Sequence, residues 1–150
     1  MICNRWINPP LVLLSFLVAL PLVHFLAPDP TLIRTPWSLF GIVPVILGIA
    51  LNIVADNLFT AHRTSIKPSS RPSCLVTSGP YAISRNPIYL GWLDLYLGFA
   101  LLLNLSWALF LLPLVLLANH FVDISKEESF LSEKHGDKYQ RYREKVRRYI

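Results

Sequence analysis

The residues best able to do chemistry lie in a short stretch between two long apolar regions, LVTSGPYAISRNPIYLG, from Leu75 to Gly91. We call this stretch the tyrosine loop, because it contains Tyr81 and Tyr89 together with one cation, Arg85. Its Gly-Pro and Asn-Pro pairs turn the backbone twice, since the residue before a proline is kept out of the helical region. We therefore interpret the tyrosine loop as one wall of an active site.

A second polar cluster, Glu127-Glu128, lies at the end of the last apolar region. Adjacent acidic residues at such a point commonly do no more than begin a solvated helix. Opposite a basic, proline-shaped loop, however, a pair of carboxylates suits a small zwitterionic or cationic ligand that enters from the cytosol. The two clusters together predict a binding site at one face of the protein.

Several common catalytic patterns are absent from the sequence. It has no P-loop, no G-x-G-x-x-G, no G-x-S-x-G and no His/Cys spacing typical of a metal site. The four histidines are scattered, and only His62 and His120 could face a common site. We therefore expect neither a zinc nor a catalytic-triad mechanism, and we predict no metal ligands.

The composition is typical of a membrane protein. The chain has 150 residues, of which 53% are hydrophobic and 15% charged, with a mean hydropathy of +0.46, whereas soluble domains carry about 25% charged residues. The net charge of +5 is explained by loops facing the cytoplasm and anionic lipid, so no nucleic-acid partner is expected. The length fits a single domain, 1–150.

The apolar blocks predict an all-α integral membrane bundle of about four transmembrane helices. Residues 9–27 are predicted to form the first span and residues 36–59 the second. The alternative for residues 9–27 is a signal peptide. The apolar run 88–122 is too long for one helix, and Asn104-Leu105-Ser106 divides it into a hairpin. From Asp123 the chain continues as a helical tail, which Gly136 divides in two.

The distribution of positive charge predicts the orientation. Four of the 14 Lys and Arg residues lie in 60–87 and eight in the tail, whereas the third connection has none. With four spans, both basic segments lie on one side of the membrane, which the positive-inside rule makes cytoplasmic. Both termini are then cytoplasmic. In the tail, Tyr139, Tyr142 and Val146 recur at helical spacing, which indicates a packing stripe.

The tyrosine loop, followed by EESFLSEKHGDKYQRYREKV, resembles the isoprenylcysteine carboxyl methyltransferase and phospholipid N-methyltransferase group of membrane enzymes. That group has the approximate pattern LVTSGxYxxxRHPxY or RNPxY, then EExxLxxxFGxxYxxYxxxV. The resemblance covers the C-terminal half of the chain. It implies S-adenosylmethionine-dependent methyl transfer to a small lipophilic or lipid acceptor, with the cofactor site formed by 62–91 and 120–150.

Carried over residue by residue, the resemblance implies two sets of site residues. Glu127 would pair with the ammonium group of the cofactor, and Glu128 would matter less if it points to solvent. The residues expected at the reacting groups are Arg85, Tyr89 and Asp123. The expected cofactor-binding residues are Ser73, Cys74, Leu75, Val76, Tyr81, Asn86, Pro87, Ile88, Tyr89 and Glu127.

Two departures from the group's pattern bear on the acceptor. Asn86 stands where the prenylcysteine enzymes have histidine, and Asp123 stands where they carry an arginine that meets the substrate carboxylate. We therefore expect the acceptor to be a lipophilic amine, thiol or hydroxyl compound and not a carboxylate. The alternative is that Asp123 only caps local structure and that Arg63 or Arg85 receives an acid.

Two other classes of protein remain as alternatives. Membrane sterol reductases resemble this C-terminal architecture and bind NADPH in a similar place, but their usual tail signature is not evident in this sequence. A small helical bundle could also be a non-catalytic membrane scaffold. The oligomeric state is not indicated by the sequence.

Overall fold

The computed structural model describes residues 11–26, 33, 35–61 and 75–150, and these residues form an all-helical structure. Six α-helices are described: α1, Leu11–Leu26; α2, Ile42–Ala61; α3, Pro87–Leu102; α4, Ser106–Asn119; α5, Ser125–His135; and α6, Asp137–Lys145. Short 3₁₀ turns at Trp37–Gly41 and Gly79–Ala82 precede α2 and α3. No strand forms in this part of the chain, and Ser84 and Arg147 make an isolated parallel bridge.

Two helical segments are long and apolar enough to cross a membrane, Trp37–Leu58 and Ser106–His135. Leu13–Leu26 and Pro87–Leu102 are apolar but shorter. Large apolar side chains are exposed along these segments, for example Ile46 and Phe110, as expected of surfaces that face lipid. The predicted helical bundle is therefore confirmed, whereas the number of spans stays a prediction.

Helices α2 and α3 run antiparallel in very close contact, because glycines face backbone on both helices. A Cβ atom built on Gly98 would lie 2.7 Å from the carbonyl oxygen of Gly41, and one built on Gly48 would lie 2.5 Å from that of Gly91. Only residues without a side chain allow backbones to approach so closely. This contact fixes α3, which carries the end of the tyrosine loop.

The predicted hairpin between α3 and α4 is confirmed. Asn104 turns the chain with a φ of 57°, a left-handed conformation that asparagine tolerates better than most residues. Its side chain also accepts a hydrogen bond from the Ile33 N–H at 3.0 Å and donates one to the Ile33 carbonyl at 2.8 Å. The hairpin is thereby fastened to the connection that precedes α2.

The main core lies between α1, α3 and α4. Tyr96 is fully buried there, and its hydroxyl donates a hydrogen bond to the Ala108 carbonyl at 2.9 Å, which satisfies the one polar atom of a large buried ring. The other buried members of this core are Leu13, Leu20, Ala100, Leu105, Ala108 and Val115. This core holds α3 and α4 side by side.

Helix α4 continues into α5 without a break, through a π-helical turn at His120–Ile124. Gly136, with a φ of 49°, then separates α5 from α6, as the sequence predicts. Beyond α6 the chain extends past Val146 and returns along the tyrosine loop. Helices α4 and α5 thus form one continuous helical segment, which Gly136 separates from α6 and the folded-back end.

Candidate active site

The structure brings the two predicted polar clusters together. The Tyr89 hydroxyl donates a hydrogen bond to Oε2 of Glu127 at 2.9 Å. Tyr89 lies in the first turn of α3, where Pro87 is favoured because that position needs no N–H. Glu127 lies in the first turn of α5. Residues 38 positions apart therefore meet at the same end of the bundle.

Glu128 faces a different set of partners from its neighbour. Its side chain is largely buried, lies 3.3 Å from Nη1 of Arg85, and accepts hydrogen bonds from Nε and Nη2 of Arg148 at 3.0 and 2.6 Å. The reading in which Glu128 points to solvent is therefore wrong. Successive residues of a helix are rotated by about 100°, so two adjacent glutamates point in different directions.

The ion pair with Glu128 has a clear electrostatic effect on Arg148. The hydrogen bonds from the guanidinium to Glu128 and the charge of that carboxylate raise the pKa of Arg148 above its ordinary value. Both partners are thus held in their charged forms. This two-pronged pair, in which the Glu128 side chain is largely buried and the Arg148 side chain is partly exposed, joins α5 to the C-terminal segment.

The beginning of the tyrosine loop is anchored by packing. Val76 and Tyr81 are buried against Ala55 of α2, with Ile88 beside them. Tyr142 of α6 donates a short hydrogen bond, 2.6 Å, to the Tyr81 carbonyl. Burial raises the pKa of Tyr142 to about 12, an effect that the nearby Arg85 charge partly opposes. The hydroxyl therefore remains a donor at physiological pH.

The predicted packing stripe in the tail is confirmed. Tyr139, Tyr142 and Val146 form a buried cluster with Leu75 and Leu131. Tyr139 also accepts a hydrogen bond, at 3.4 Å, from Nη1 of Arg85. Arg85 is therefore held between Glu128 and Tyr139, and its role at the reacting groups stays a prediction.

Asn86 and Ser84 are buried, and both contact the C-terminal segment. The Asn86 amide nitrogen and the Ser84 hydroxyl each donate a hydrogen bond to the Arg148 carbonyl at 3.1 Å. The Arg85 N–H donates to the Arg147 carbonyl at 3.0 Å. The amide of Asn86, which the family resemblance assigns to the cofactor, thus fastens one part of the chain to another in this structure.

Asp123 lies in the π-helical turn and is half-buried. Its carboxylate is close enough to act electrostatically on both Tyr89 and Glu127. Tyr89, Asp123 and Glu127 are therefore neighbours, and they are three of the four residues expected around the reacting groups and the cofactor ammonium. Ser73 and Cys74, and also His62 and Arg63, lie outside the described residues.

An open groove of about 590 Å³ lies along another side of α5. Its lining residues are Ser125, Glu128, Ser129, Ser132, Glu133, Tyr139, Arg143 and Arg148. Neither Tyr89 nor Glu127 is among them, so the groove and the predicted cofactor site are different places. The Tyr89–Glu127 contact lies outside this groove, and its part in the predicted chemistry stays a prediction.

Sequence reasoning missed the residues that follow α6. Arg148 contacts Glu128, and its Nη1 lies 3.2 Å from Nε2 of His120, while Nδ1 of His120 lies 3.1 Å from the Tyr149 hydroxyl. These residues extend without a repeating pattern, so periodicity could not predict their contacts. The one available signal was an arginine pair at the end of a tail whose preceding residues match the family pattern.

Comparison with known proteins agrees with this architecture, which is that of an all-helical membrane protein. Residues 37–138 match the phospholipid methyltransferase family. The chain is 40% identical over 72 residues to the protein-S-isoprenylcysteine O-methyltransferase of Schizosaccharomyces pombe, a match that covers 48% of this chain and 30% of that enzyme. It is also 40% identical over 65 residues to an uncharacterized protein of Haemophilus influenzae, covering 42% of this chain and 100% of that protein.

The family match extends over more than half of the chain. The protein therefore belongs to the phospholipid methyltransferase family, and the resemblance carried by the tyrosine loop and the Glu127-Glu128 tail is confirmed. The matched part of this chain spans less than a third of the length of the fission yeast enzyme. No solved structure gives a significant match.

Proposed function

We propose that this protein transfers a methyl group from S-adenosylmethionine to a small lipophilic acceptor at the cytoplasmic face of a membrane. The observation that carries the proposal is the contact between the two halves of the family motif, the hydrogen bond from Tyr89 to Glu127. Family membership supports the reaction class. The contact between Tyr89 and Glu127 supports the proposed location of the site.

The groups around Glu127 suit the cofactor that the family implies. Glu127 reaches the protein surface while its carboxyl group is closely surrounded by protein, and a carboxylate has acceptor positions beyond the one that the Tyr89 hydroxyl uses. It can therefore also accept hydrogen bonds from the ammonium group of the methionine moiety. The Tyr89 ring offers a π face of the kind that attracts a sulfonium cation.

When bound, S-adenosylmethionine supplies the reactive methyl group. The residues of the chain bind and orient it and exclude water, and such alignment can supply much of the rate of a displacement reaction. No side chain has to act as a nucleophile. The remaining cofactor contacts proposed for this site are those carried over from the family, including Val76, Tyr81 and Ile88.

The acceptor that we propose is a lipophilic amine, thiol or hydroxyl compound. Asp123 lies beside Tyr89 and Glu127, so an acidic acceptor would bring another negative charge to two carboxylates. The Arg85 guanidinium already contacts Glu128 and Tyr139. These contacts argue against Arg85 as the receptor for an acidic acceptor.

The proposed arrangement in the membrane is multi-pass, with both termini in the cytoplasm. Helix α3 has 16 residues, about 24 Å at 1.5 Å per residue, which is shorter than the hydrocarbon core. Its contact with α2 at Gly41–Gly98 and Gly48–Gly91 supports a second crossing alongside α2. The basic residues of 60–87 and of the tail support the orientation.

Calorimetric titration of the purified protein with S-adenosylhomocysteine, with NADPH as comparator, tests the proposal. We expect Glu127→Gln to weaken binding by about 1.5–3 kcal/mol, the contribution of a hydrogen bond to a charged group. Glu133→Gln is the matched control, because Glu133 is exposed on the same helix and the charge change is identical. Preferential binding of NADPH would contradict the proposal, and so would equal affinities of the two variants.

A further inference from the structure

The segment that follows α6 lies between the two halves of the candidate site. Ser84 and Arg147 form a parallel bridge, with the Arg85 N–H donating to the Arg147 carbonyl. The Ser84 hydroxyl and the Asn86 amide both donate to the Arg148 carbonyl. Backbone and side chains of the tyrosine loop, directly before α3, are therefore fastened to residues 147 and 148.

The side chain of Arg148 fastens the other half of the site. Its Nε and Nη2 bind the two oxygens of Glu128, and its Nη1 lies beside Nε2 of His120. A planar guanidinium fork is well suited to grip a carboxylate at two points. One residue thus joins the tyrosine loop, through its carbonyl, to α5, through its guanidinium.

We propose that Arg148 is a positioning residue of the cofactor site, which holds Glu127 opposite Tyr89 by gripping the adjacent Glu128. The inference rests on the proposed function. In this role Arg148 acts through Glu128, and each of its three guanidinium nitrogens has a partner in Glu128 or His120. Displacement of Glu128 would move the first turn of α5 and with it the carboxylate of Glu127.

The grip depends on the shape of the side chain as well as on its charge. A lysine at position 148 would retain the positive charge but could not bind both carboxylate oxygens in the same fixed geometry. A role as a general surface cation predicts that Arg148→Lys behaves as the wild type. A positioning role predicts that Arg148→Lys and Arg148→Gln are both impaired.

The test compares Arg148→Gln and Arg148→Lys with Arg147→Gln and Arg147→Lys. Arg147 is the matched control, because it has the same charge, is adjacent and exposed, and makes its contacts to the tyrosine loop through backbone that these variants retain. We expect the affinity for S-adenosylhomocysteine to fall about tenfold or more in both Arg148 variants, the loss of one charge-assisted contact. The Arg147 variants should stay within about twofold of the wild type.

Two further readouts separate positioning from general stability. In folded protein the KM for the acceptor should change far less than the affinity for S-adenosylhomocysteine. The double variant Arg148→Gln/Glu128→Gln should bind S-adenosylhomocysteine no more weakly than the single variant with the lower affinity. The reason is that each change removes the same contact, the one between Arg148 and Glu128. If Arg148→Gln does not fold, the comparison of Arg148→Lys with Arg147→Lys at equal folded fraction decides the question.

The outcomes distinguish this inference from the proposed function. If the wild type binds S-adenosylhomocysteine and the Arg148 variants bind it as tightly as the Arg147 variants, the positioning role is overturned and the proposed function stands. Fully additive losses in the double variant would likewise overturn it. If the wild type does not bind S-adenosylhomocysteine, the proposed function fails and the positioning role fails with it.

Discussion

Glu127 and Glu128 are adjacent in the sequence but have different partners. Glu127 meets Tyr89, whereas Glu128 meets Arg85 and Arg148. The sequence predicted that the acidic pair and the tyrosine loop lie together, because both follow apolar helices at the same face. It could not assign the partner of each glutamate, because that depends on the rotation of α5 and on a C-terminal segment without periodicity.

The charge of Asp123 should select the acceptor. We expect the wild type to methylate lipophilic amines, thiols or hydroxyl compounds and not prenylcysteine, and we expect Asp123→Arg to gain activity toward prenylcysteine because the new cation can pair with its carboxylate. A panel of acceptors assayed with both proteins measures this, with Asp123→Asn as the control for loss of charge alone. Efficient methylation of prenylcysteine by the wild type would refute the acceptor proposal.

Tyr142 should make stability depend on pH in the alkaline range. Burial raises its pKa from 10.0 to about 12 in the folded protein, so its neutral form is favoured by folding. That contribution is complete below pH 10 and is lost as the pH rises through the folded pKa. Below pH 10 we expect Tyr142→Phe to be about 1 kcal/mol less stable, because the Tyr81 carbonyl loses its donor.

The advantage of the wild type over Tyr142→Phe should therefore shrink between pH 10 and pH 12. Chemical unfolding of both proteins in the same detergent measures this difference in the free energy of unfolding. A constant difference across this range would show that the ionisation of Tyr142 does not affect folding.

At the scale of elements, the helix bounds follow closely from the sequence. Apolar blocks separated by Asn104 and Gly136 predict the hairpin and the divided tail, and both are present. No pattern in the sequence indicated that α4 continues into α5 through a π-helical turn. Such a turn accommodates an extra residue and so changes the direction in which the following side chains point. It cannot be recognised from a 3.6-residue periodicity in the sequence.

The contact between α2 and α3 should tolerate no added side-chain carbon. Gly98→Ala would place a Cβ 2.7 Å from the Gly41 carbonyl oxygen, so the helices must separate, at a cost of about 1–3 kcal/mol. Ala50→Val is the control, because it enlarges an exposed position of α2 and should change stability by less than about 0.5 kcal/mol. Equal unfolding free energies for the two variants would show that the helices are not closely packed in the membrane.

At the scale of the whole molecule, the contacts define two ends. The tyrosine loop meets the tail at one end, through Tyr81 and Tyr142, and Ile33 meets Asn104 at the other. The distribution of charge predicted this division, because the basic residues cluster in 60–87 and in the tail and are absent from the third connection. The folded-back C-terminal segment could not be predicted, since its contacts are long-range and involve both backbone carbonyls and side chains of residues without a repeating pattern.

Membrane topology can be measured with single cysteines in a background that carries Cys3→Ser and Cys74→Ser. Cysteines replacing the exposed residues Ser78 and Lys138 should react with a membrane-impermeant reagent only from the cytoplasmic side. One replacing the exposed Trp37 should react only from the opposite side. Reaction of positions 78 and 138 from opposite sides would contradict both the proposed topology and the site.

The central claim is that the contact between Tyr89 and Glu127 marks the site of a methyl-transfer reaction. The most direct measurement follows a radiolabelled methyl group from S-adenosylmethionine into lipid-extractable product, with the purified protein in membranes that supply lipophilic acceptors. We predict label in the organic phase for the wild type, a loss of about tenfold or more for Glu127→Gln and little change for Glu133→Gln. No label above protein-free membranes, or equal labelling by wild type and Glu127→Gln, would contradict the account.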